Sequence, residues 1–220
     1  MLKLYYSPTS PNSRRIWIAL LEKGLEFELV EINLIDNEQF KPEFLKLNPF
    51  HQVPILLDDG FNVVESLAIL DYLEAKYPIP SLMPTEAKAM ATVRMVALAT
   101  DNELMPAIAP LFGIFLGLPT GEFEKIEQAK QQVSVVLTFF EHLLGDNPFF
   151  GGEHLTLAEV AAGTVITQLY NLEISLSDYP KLNAWSERLM LRAAWAKTQP
   201  SVEAWEVVKT RYRAMFAQQT

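Results

Sequence analysis

Leu2-Lys3-Leu4-Tyr5-Tyr6-Ser7-Pro8-Thr9-Ser10-Pro11-Asn12-Ser13-Arg14-Arg15-Ile16-Trp17-Ile18-Ala19-Leu20-Leu21-Glu22-Lys23-Gly24-Leu25-Glu26-Phe27-Glu28-Leu29-Val30-Glu31-Ile32 reads as strand, helix, strand. Leu2 to Tyr6 is apolar and aromatic apart from Lys3 and stops at Ser7-Pro8, the pattern of a buried strand entering a loop. Ile16 to Glu22 has helical content and is followed by Gly24, the residue that most easily takes the left-handed backbone of a helix C-terminus. Phe27 to Ile32 alternates apolar and acidic residues with the period of two of a second strand. Strands in the order strand, helix, strand pair in parallel by default.

Downstream, a short helix is expected near Pro42 to Leu47. Val53-Pro54-Ile55-Leu56-Leu57 is a third strand, Asp58-Asp59-Gly60 a turn and Asn62-Val63-Val64 the returning strand of a hairpin. From Ser66 to Tyr77, Leu67, Leu70 and Leu73 recur at spacing three, so a helix closes the unit. The order βαβ then ββα is that of a thioredoxin-like α/β domain. Pro78, Pro80 and Pro84 then form a stiff connector. The expected division is a domain over residues 1–78, a linker over 79–85 and an all-α domain over 86–220.

Within that second domain helical runs are expected at about 86 to 117, 123 to 144, 157 to 170, 181 to 192 and 201 to 216. Thr156-Leu157-Ala158-Glu159 is a capping box. Pro106 and Pro110 fall inside the first long run and should bend or divide it, opening a concavity beside the break.

Composition narrows the function. The chain has 220 residues, with 18 Lys plus Arg against 27 Asp plus Glu and a formal charge of −9, and no basic run interrupts the acidic balance. Nucleic acid and anionic membrane are therefore not expected partners. The first residues lack the apolar stretch of a signal peptide, and no uninterrupted apolar segment reaches the roughly 18 residues of a membrane span. A soluble, intracellular (cytoplasmic) protein is expected. There is no cysteine, which removes thiolate metal sites and a protein-thiol nucleophile. The three histidines, His51, His142 and His154, are scattered and predict no metal site. Any sulfur chemistry must use the sulfur of a ligand.

The run Leu4 to Leu20, together with Asn48-Pro49-Phe50-His51-Gln52-Val53-Pro54 and Glu65-Ser66-Leu67-Ala68-Ile69, resembles the cytosolic glutathione transferases of the serine type, in the theta, zeta and phi style. The capping box and Tyr179-Pro180-Lys181-Leu182-Asn183-Ala184-Trp185 extend the resemblance over the whole chain. It implies a homodimer, a glutathione site on the first domain and a hydrophobic second-substrate site on the second. No cofactor beyond glutathione, itself a co-substrate, is implied.

Ser10 falls where serine-type members carry the hydroxyl that donates to the glutathione sulfur. A free thiol has a pKa near about 8.5, and a hydroxyl donor beside helix amides favours its thiolate. Local sequence alone favours another role, because Ser followed by Pro is the preferred N-cap and N1 pair. Tyr6, where tyrosine-type members carry a phenol, and Ser13 are the alternatives. Arg14 and Arg15 place two cations in the first helical turn against the macrodipole. A compensating surface or inter-domain salt bridge is expected, and a contact of Arg14 with a glutathione carboxylate is the lesser reading.

By resemblance, Pro54 is cis and Val53 presents its amide and carbonyl to glutathione like an added strand. Ser66 would receive the γ-glutamyl carboxylate and Glu65 its ammonium, at a helix start whose free amides suit an anion. His51 and Gln52 would face the glycine end. Asp101 lies where some members reach across the dimer to the ammonium, although a solvated helix surface is the commoner fate of such a residue. Met105, Ile108 and Phe112, with Phe115, Trp205 and Tyr212, would line the second site, or serve as core.

The function implied is activation of the glutathione thiol and its conjugation to a small hydrophobic electrophile, in detoxification. A glutathione-dependent maleyl cis-trans isomerase of the zeta type is the alternative, although Ser10-Pro11-Asn12 stands where that group usually carries Ser-Ser-Cys. A non-catalytic binding module on the same fold is the second alternative.

Overall fold

In the computed structural model, which describes residues 1–118 and 123–217, β1 (Leu2–Tyr6) lies parallel to β2 (Phe27–Glu31), and α1 (Pro11–Glu22) joins them. β3 (Ile55–Asp58) pairs antiparallel with β1, and β4 (Phe61–Val63) antiparallel with β3, giving the sheet order β2-β1-β3-β4. The β3–β4 connection is shorter than expected: Asp59 and Gly60 alone make it, both with positive φ (48° and 87°), as the tightest hairpins require. Val53 and Pro54 fall outside the strand, since proline has no N–H to give a ladder.

Alternation along the strands sorts side chains onto two faces. Leu4 and Leu56 pack with Ile16, Leu20 and Leu70 from α1 and α3 (Ser66–Lys76). Ile55 packs on the opposite face with Ile32, Val53 and Phe44, the last from α2 (Pro42–Leu45).

Beyond the sheet come α4 (Ala87–Ala99), α5 (Met105–Phe115), α6 (Phe123–Leu144), α7 (Leu157–Ile166), α8 (Pro180–Met190), α9 (Ala193–Thr198) and α10 (Val202–Ala217). The single run expected at 86 to 117 is divided by a wide π turn over Thr100–Leu104. Pro106 accounts for it: the ring has no N–H for the Asn102 carbonyl and crowds it, so the backbone widens one turn earlier. The run expected at 157 to 170 ends at Ile166 and continues as a 3₁₀ turn over Leu169–Leu172. The run at 181 to 192 stops at Met190, and Arg192 is extended (φ −78°, ψ 138°), which starts the separate α9.

The helical layer is assembled around α7, every residue of which is buried. Its capping box forms: Thr156 Oγ1 accepts from Ala158 N at 3.2 Å, and Glu159 accepts from Thr156 N at 2.8 Å. The same carboxylate accepts from Phe150 N (2.7 Å) and Trp185 Nε1 (3.3 Å), so one local motif also anchors α8. α1 packs directly on α7 and α9. One apolar core therefore runs from Leu4 and Ile16 through Val93 and Val160 to Trp185 and Trp195. Lys23, the buried C-cap of α1, pairs with Glu74 and donates to the carbonyls of Tyr77 and Pro80, fixing the chain where it leaves the sheet domain. Among the described residues no helix is long and apolar enough to cross a membrane.

Candidate active site

Three segments named from the sequence converge at one end of the sheet. β1 and β3 pair Tyr5 with Ile55, and β3 and β4 pair Leu56 with Val63. Carried past the ladder, the same registers set Tyr6 opposite Pro54 and Pro54 opposite Glu65. The loop after β1, the Val53-Pro54 peptide, which is cis, and the start of α3 are thus neighbours.

The loop leading into α1 is held by serine hydroxyls. Ser10 N donates to Ser7 O (3.1 Å), Ser7 N to Ser13 Oγ (3.2 Å) and Ser13 N to Ser10 Oγ (3.2 Å). Ser10 is the N-cap and Pro11 the first helical residue, as the local reading of Ser-Pro anticipated. Its oxygen accepts from the Ser13 amide, while among the described residues its own O–H donates to no protein acceptor.

The three candidate hydroxyls lie in different surroundings. Ser10 lines a cleft of about 570 Å³ and the chamber of about 70 Å³ that opens beside it. Ser13 is fully buried, and its oxygen is occupied by Ser7 N. Tyr6 lines neither space: its ring packs edge-on against Trp17 (5.1 Å between centroids). Burial, with Glu31 beside it, pushes its phenol up from the ordinary value, away from the acidity a general acid or thiol partner would use at neutral pH.

The main cleft is bounded on the sheet side by Ser7–Pro11 and residues 31–35 and on the helical side by Met105, Ile108, Phe112, Trp205 and Tyr212. Ile108, Phe112 and Trp205 continue into the inner chamber with Phe115. Trp205 meets Phe115 edge-on at 5.0 Å and Phe112 at 5.9 Å. α10 is docked over this cluster by Lys209 above the Phe115 ring (4.4 Å) and by Arg213 Nε donating to Leu116 O (2.9 Å).

Of the remaining predicted residues Arg14 borders the inner chamber, while His51, Gln52, Val53, Pro54, Glu65, Ser66 and Asp101 border neither space. Glu65 is held at φ 67°, ψ 113°, a strained backbone for a residue other than glycine, of the kind that gathers at functional sites and costs about 1–3 kcal/mol. Ser66 Oγ accepts from Arg15 Nη1 at 3.0 Å. The same nitrogen donates to Asp101 Oδ1 at 2.8 Å. Asp101 is therefore neither simply solvated nor free, because Arg15 of its own chain holds it. His51 is exposed, has φ 48° and stacks on Phe40 at 4.7 Å. Gln52 is exposed too, with its carbonyl accepting from Asn48 Nδ2 (2.9 Å).

The two arginines are compensated differently. Arg15, fully buried, forms the expected inter-domain salt bridge, with Asp101. Burial lowers its pKa, and the Asp101 charge opposes that. Arg14 has no salt bridge among the described residues: Nε, Nη1 and Nη2 donate to Thr198 Oγ1 (3.2 Å), Thr167 Oγ1 (3.5 Å) and Trp195 O (3.3 Å). Burial lowers its pKa to about 10, with Tyr170 acting in the opposite sense, so the group stays a cation at neutral pH. Sequence reasoning missed the Arg15–Ser66–Asp101 cluster and the contributions of Thr164, Gln168 and Asn171 to the inner chamber. The signal for the first was the pair of cations misplaced on the helix dipole; the second had none.

Comparison with known proteins agrees with this architecture. The family description "Glutathione S-transferase, N-terminal domain" matches residues 4–85 and "Glutathione S-transferase, C-terminal domain" residues 99–193. Glutathione S-transferase 3 of Zea mays is 32% identical over 211 residues, 91% of this chain and 94% of that protein. Maleylacetoacetate isomerase of Rattus norvegicus is 31% identical over 201 residues, 90% and 91% of the two chains. Among solved structures, a delta-class glutathione transferase of Nilaparvata lugens superposes with a TM-score of 0.81 at 30% identity, over 98% of this chain and 100% of that one. A glutathione S-transferase of Methylobacterium radiotolerans in complex with glutathione sulfonate gives 0.79 at 30% identity, over 91% and 95%. With a thioredoxin-like sheet domain, an all-helical partner domain and relatives that match along nearly its full length, this chain belongs to the glutathione S-transferase family of enzymes.

Proposed function

We propose that this enzyme binds glutathione across the sheet end formed by Val53, Pro54, Glu65 and Ser66, activates its thiol with Ser10 and conjugates it to a hydrophobic electrophile in the cleft beside Met105, Ile108 and Phe112. The observation that carries the reading is the bonding of Ser10. Its lone pair caps α1, and its O–H hydrogen, committed to no acceptor among the described residues, is left for a sulfur in the cleft that Ser10 lines. Capping and thiol activation are thus two uses of one hydroxyl. Accepting from an amide also polarises its O–H toward a stronger donor.

Lowering the thiol pKa by two units takes about 2.7 kcal/mol of preference for the thiolate. A charge-assisted hydrogen bond contributes about 1.5–3 kcal/mol of that and the positive end of α1 part of the rest. The sulfur then bonds to the electrophilic carbon as a leaving group departs with the carbon–leaving-group pair, or adds to an activated double bond that later takes up a proton. Proximity in the cleft supplies the remaining rate.

The division at residues 79–85 belongs to this reading, as do a homodimer and a cytoplasmic setting. Met90, Met95 and Leu98 on α4 leave large apolar side chains exposed in the single chain, the type of surface that pairs with a partner. The rat and mouse maleylacetoacetate isomerases among the relatives favour a second reading, glutathione-assisted isomerisation of a maleyl compound.

Steady-state kinetics with glutathione and 1-chloro-2,4-dinitrobenzene test the assignment. Ser10→Ala is expected to lower kcat by about ten- to a hundred-fold, the loss of one charge-assisted donor, while Tyr6→Phe stays within about two-fold of wild type. A reversed order of the two variants would transfer the role to Tyr6.

A further inference from the structure

The inner chamber contains a charge that the transferase reading does not use. Arg14 lines it and is only 3% exposed. A cation at that depth is ordinarily matched by a carboxylate. The other two buried cations among the described residues follow the rule, Arg15 with Asp101 and Lys23 with Glu74. Arg14 departs from it, in a chain with 27 acidic residues to draw on. Its partners are two threonine hydroxyls and one carbonyl. Those three bonds use the Nε hydrogen and one hydrogen on each terminal nitrogen, leaving a second hydrogen on each as a donor for an anion.

We propose that Arg14 makes the inner chamber an anion subsite, so that the preferred second substrates are electrophiles bearing a carboxylate. This deepens the transferase reading above and rests on it. The size of the chamber, about 70 Å³, suits a carboxylate and the carbon that carries it, and its walls of Phe112, Phe115 and Trp205 suit a flat unsaturated or aromatic body. Ser10 borders both spaces, and Arg14 sits one helical turn beyond it, with Arg14 N donating to Ser10 O. A carboxylate seated on Arg14 therefore leaves the rest of the molecule pointing back toward the activated sulfur. The bound anion also relieves Arg14 of its unfavourable place near the positive end of α1. On a protein of charge −9 that would repel anions at long range, a local cation of this kind sets the discrimination.

Two matched pairs of probes test the proposal on the full chain. Binding of unreactive 3,5-dinitrobenzoate and 3,5-dinitrobenzamide is followed by tryptophan quenching in the presence of saturating glutathione. Turnover of 4-chloro-3,5-dinitrobenzoate and its amide is compared after division by the uncatalysed rates. Wild type is expected to favour the acid by at least about ten-fold in both Kd and kcat/KM, one charge-assisted contact at the modest end. Arg14→Met should abolish the preference, and Arg14→Lys should keep part of it.

Equal treatment of acid and amide by wild type overturns the proposal even if no Arg14 variant folds. An acid preference that survives Arg14→Met in folded protein overturns it too, since another group then holds the anion. The transferase reading fails separately: tighter binding of the benzoate without turnover of either chloride supports the subsite and removes the conjugation step. Turnover of both at equal efficiency does the reverse.

Discussion

Ser10 illustrates how one hydroxyl serves stability and chemistry at once, and the two roles separate by substitution. Alanine removes the cap and the donor together, costing about 1 kcal/mol of stability in addition to activity. Aspartate restores a good cap but offers no hydrogen and sets a negative charge beside the sulfur. Ser10→Asp is therefore expected to unfold within about a degree or two of wild type while conjugating more slowly than Ser10→Ala; differential scanning calorimetry paired with kinetics reads both.

Asp58 shows the same economy away from the site. Its side chain is 1% exposed. Burial alone would raise its pKa, but bonds from Lys76, Tyr72 and Tyr77 outweigh burial and hold it below the usual carboxylate value. A depressed folded pKa contributes stability that is present above the unfolded value of about 3.9 and is lost as pH falls through the folded one. Urea midpoints measured downward from pH 5 should fall in wild type, and Asp58→Asn should be less stable at neutral pH with a shallower acid limb. At this scale the serine at the strand–helix junction was legible because Ser-Pro has a local meaning. The three donors on Asp58 were not, since they come from residues brought together only by folding.

Among the elements, the βαβ unit was readable because strand period, Gly24 and the acidic alternation of β2 all lie within one short stretch. The capping box of α7 was readable for the same reason. The prolines of the long helix predicted an interruption, but its form, a widened turn at Thr100–Leu104, depends on the carbonyls upstream of Pro106. α9 was missed because only Leu191 and Arg192 separate it from α8, too few residues to disturb a helical pattern. α7 also depends on a residue with no side chain: a methyl group at Gly163 would lie 2.6 Å from Leu189 Cδ1 and 3.3 Å from Trp195 Nε1. Gly163→Ala is expected to cost about 1–3 kcal/mol through overpacking, despite alanine's better helix propensity. A denaturant midpoint at or above that of wild type would show that α8 and α9 yield freely.

At the scale of the whole molecule the two domains share one core and are tied by charges on α1. Arg192 forks onto both carboxylate oxygens of Glu22 (2.9 and 2.6 Å), and Arg15 reaches Asp101. These pairings span 170 and 86 residues of sequence, which is why the sequence announced Arg15 as a misplaced cation without naming its partner and gave no sign of the Arg192–Glu22 pair. Continuous packing predicts one cooperative unfolding transition, with fluorescence and far-ultraviolet circular dichroism coincident. Arg15→Met should lower stability by about 3–5 kcal/mol, the cost of stranding one half of a buried pair, and weaken glutathione binding through Ser66.

The most direct test of the central claim is the ultraviolet absorbance of glutathione thiolate bound to the protein, titrated against pH in wild type and Ser10→Ala. Wild type should ionise about one to two units below the free value of about 8.5, and Ser10→Ala should return most of the way to it. A bound thiol that titrates at the free value in wild type, or a shift that persists unchanged in Ser10→Ala, would contradict the assignment of Ser10 as the group that makes glutathione a nucleophile.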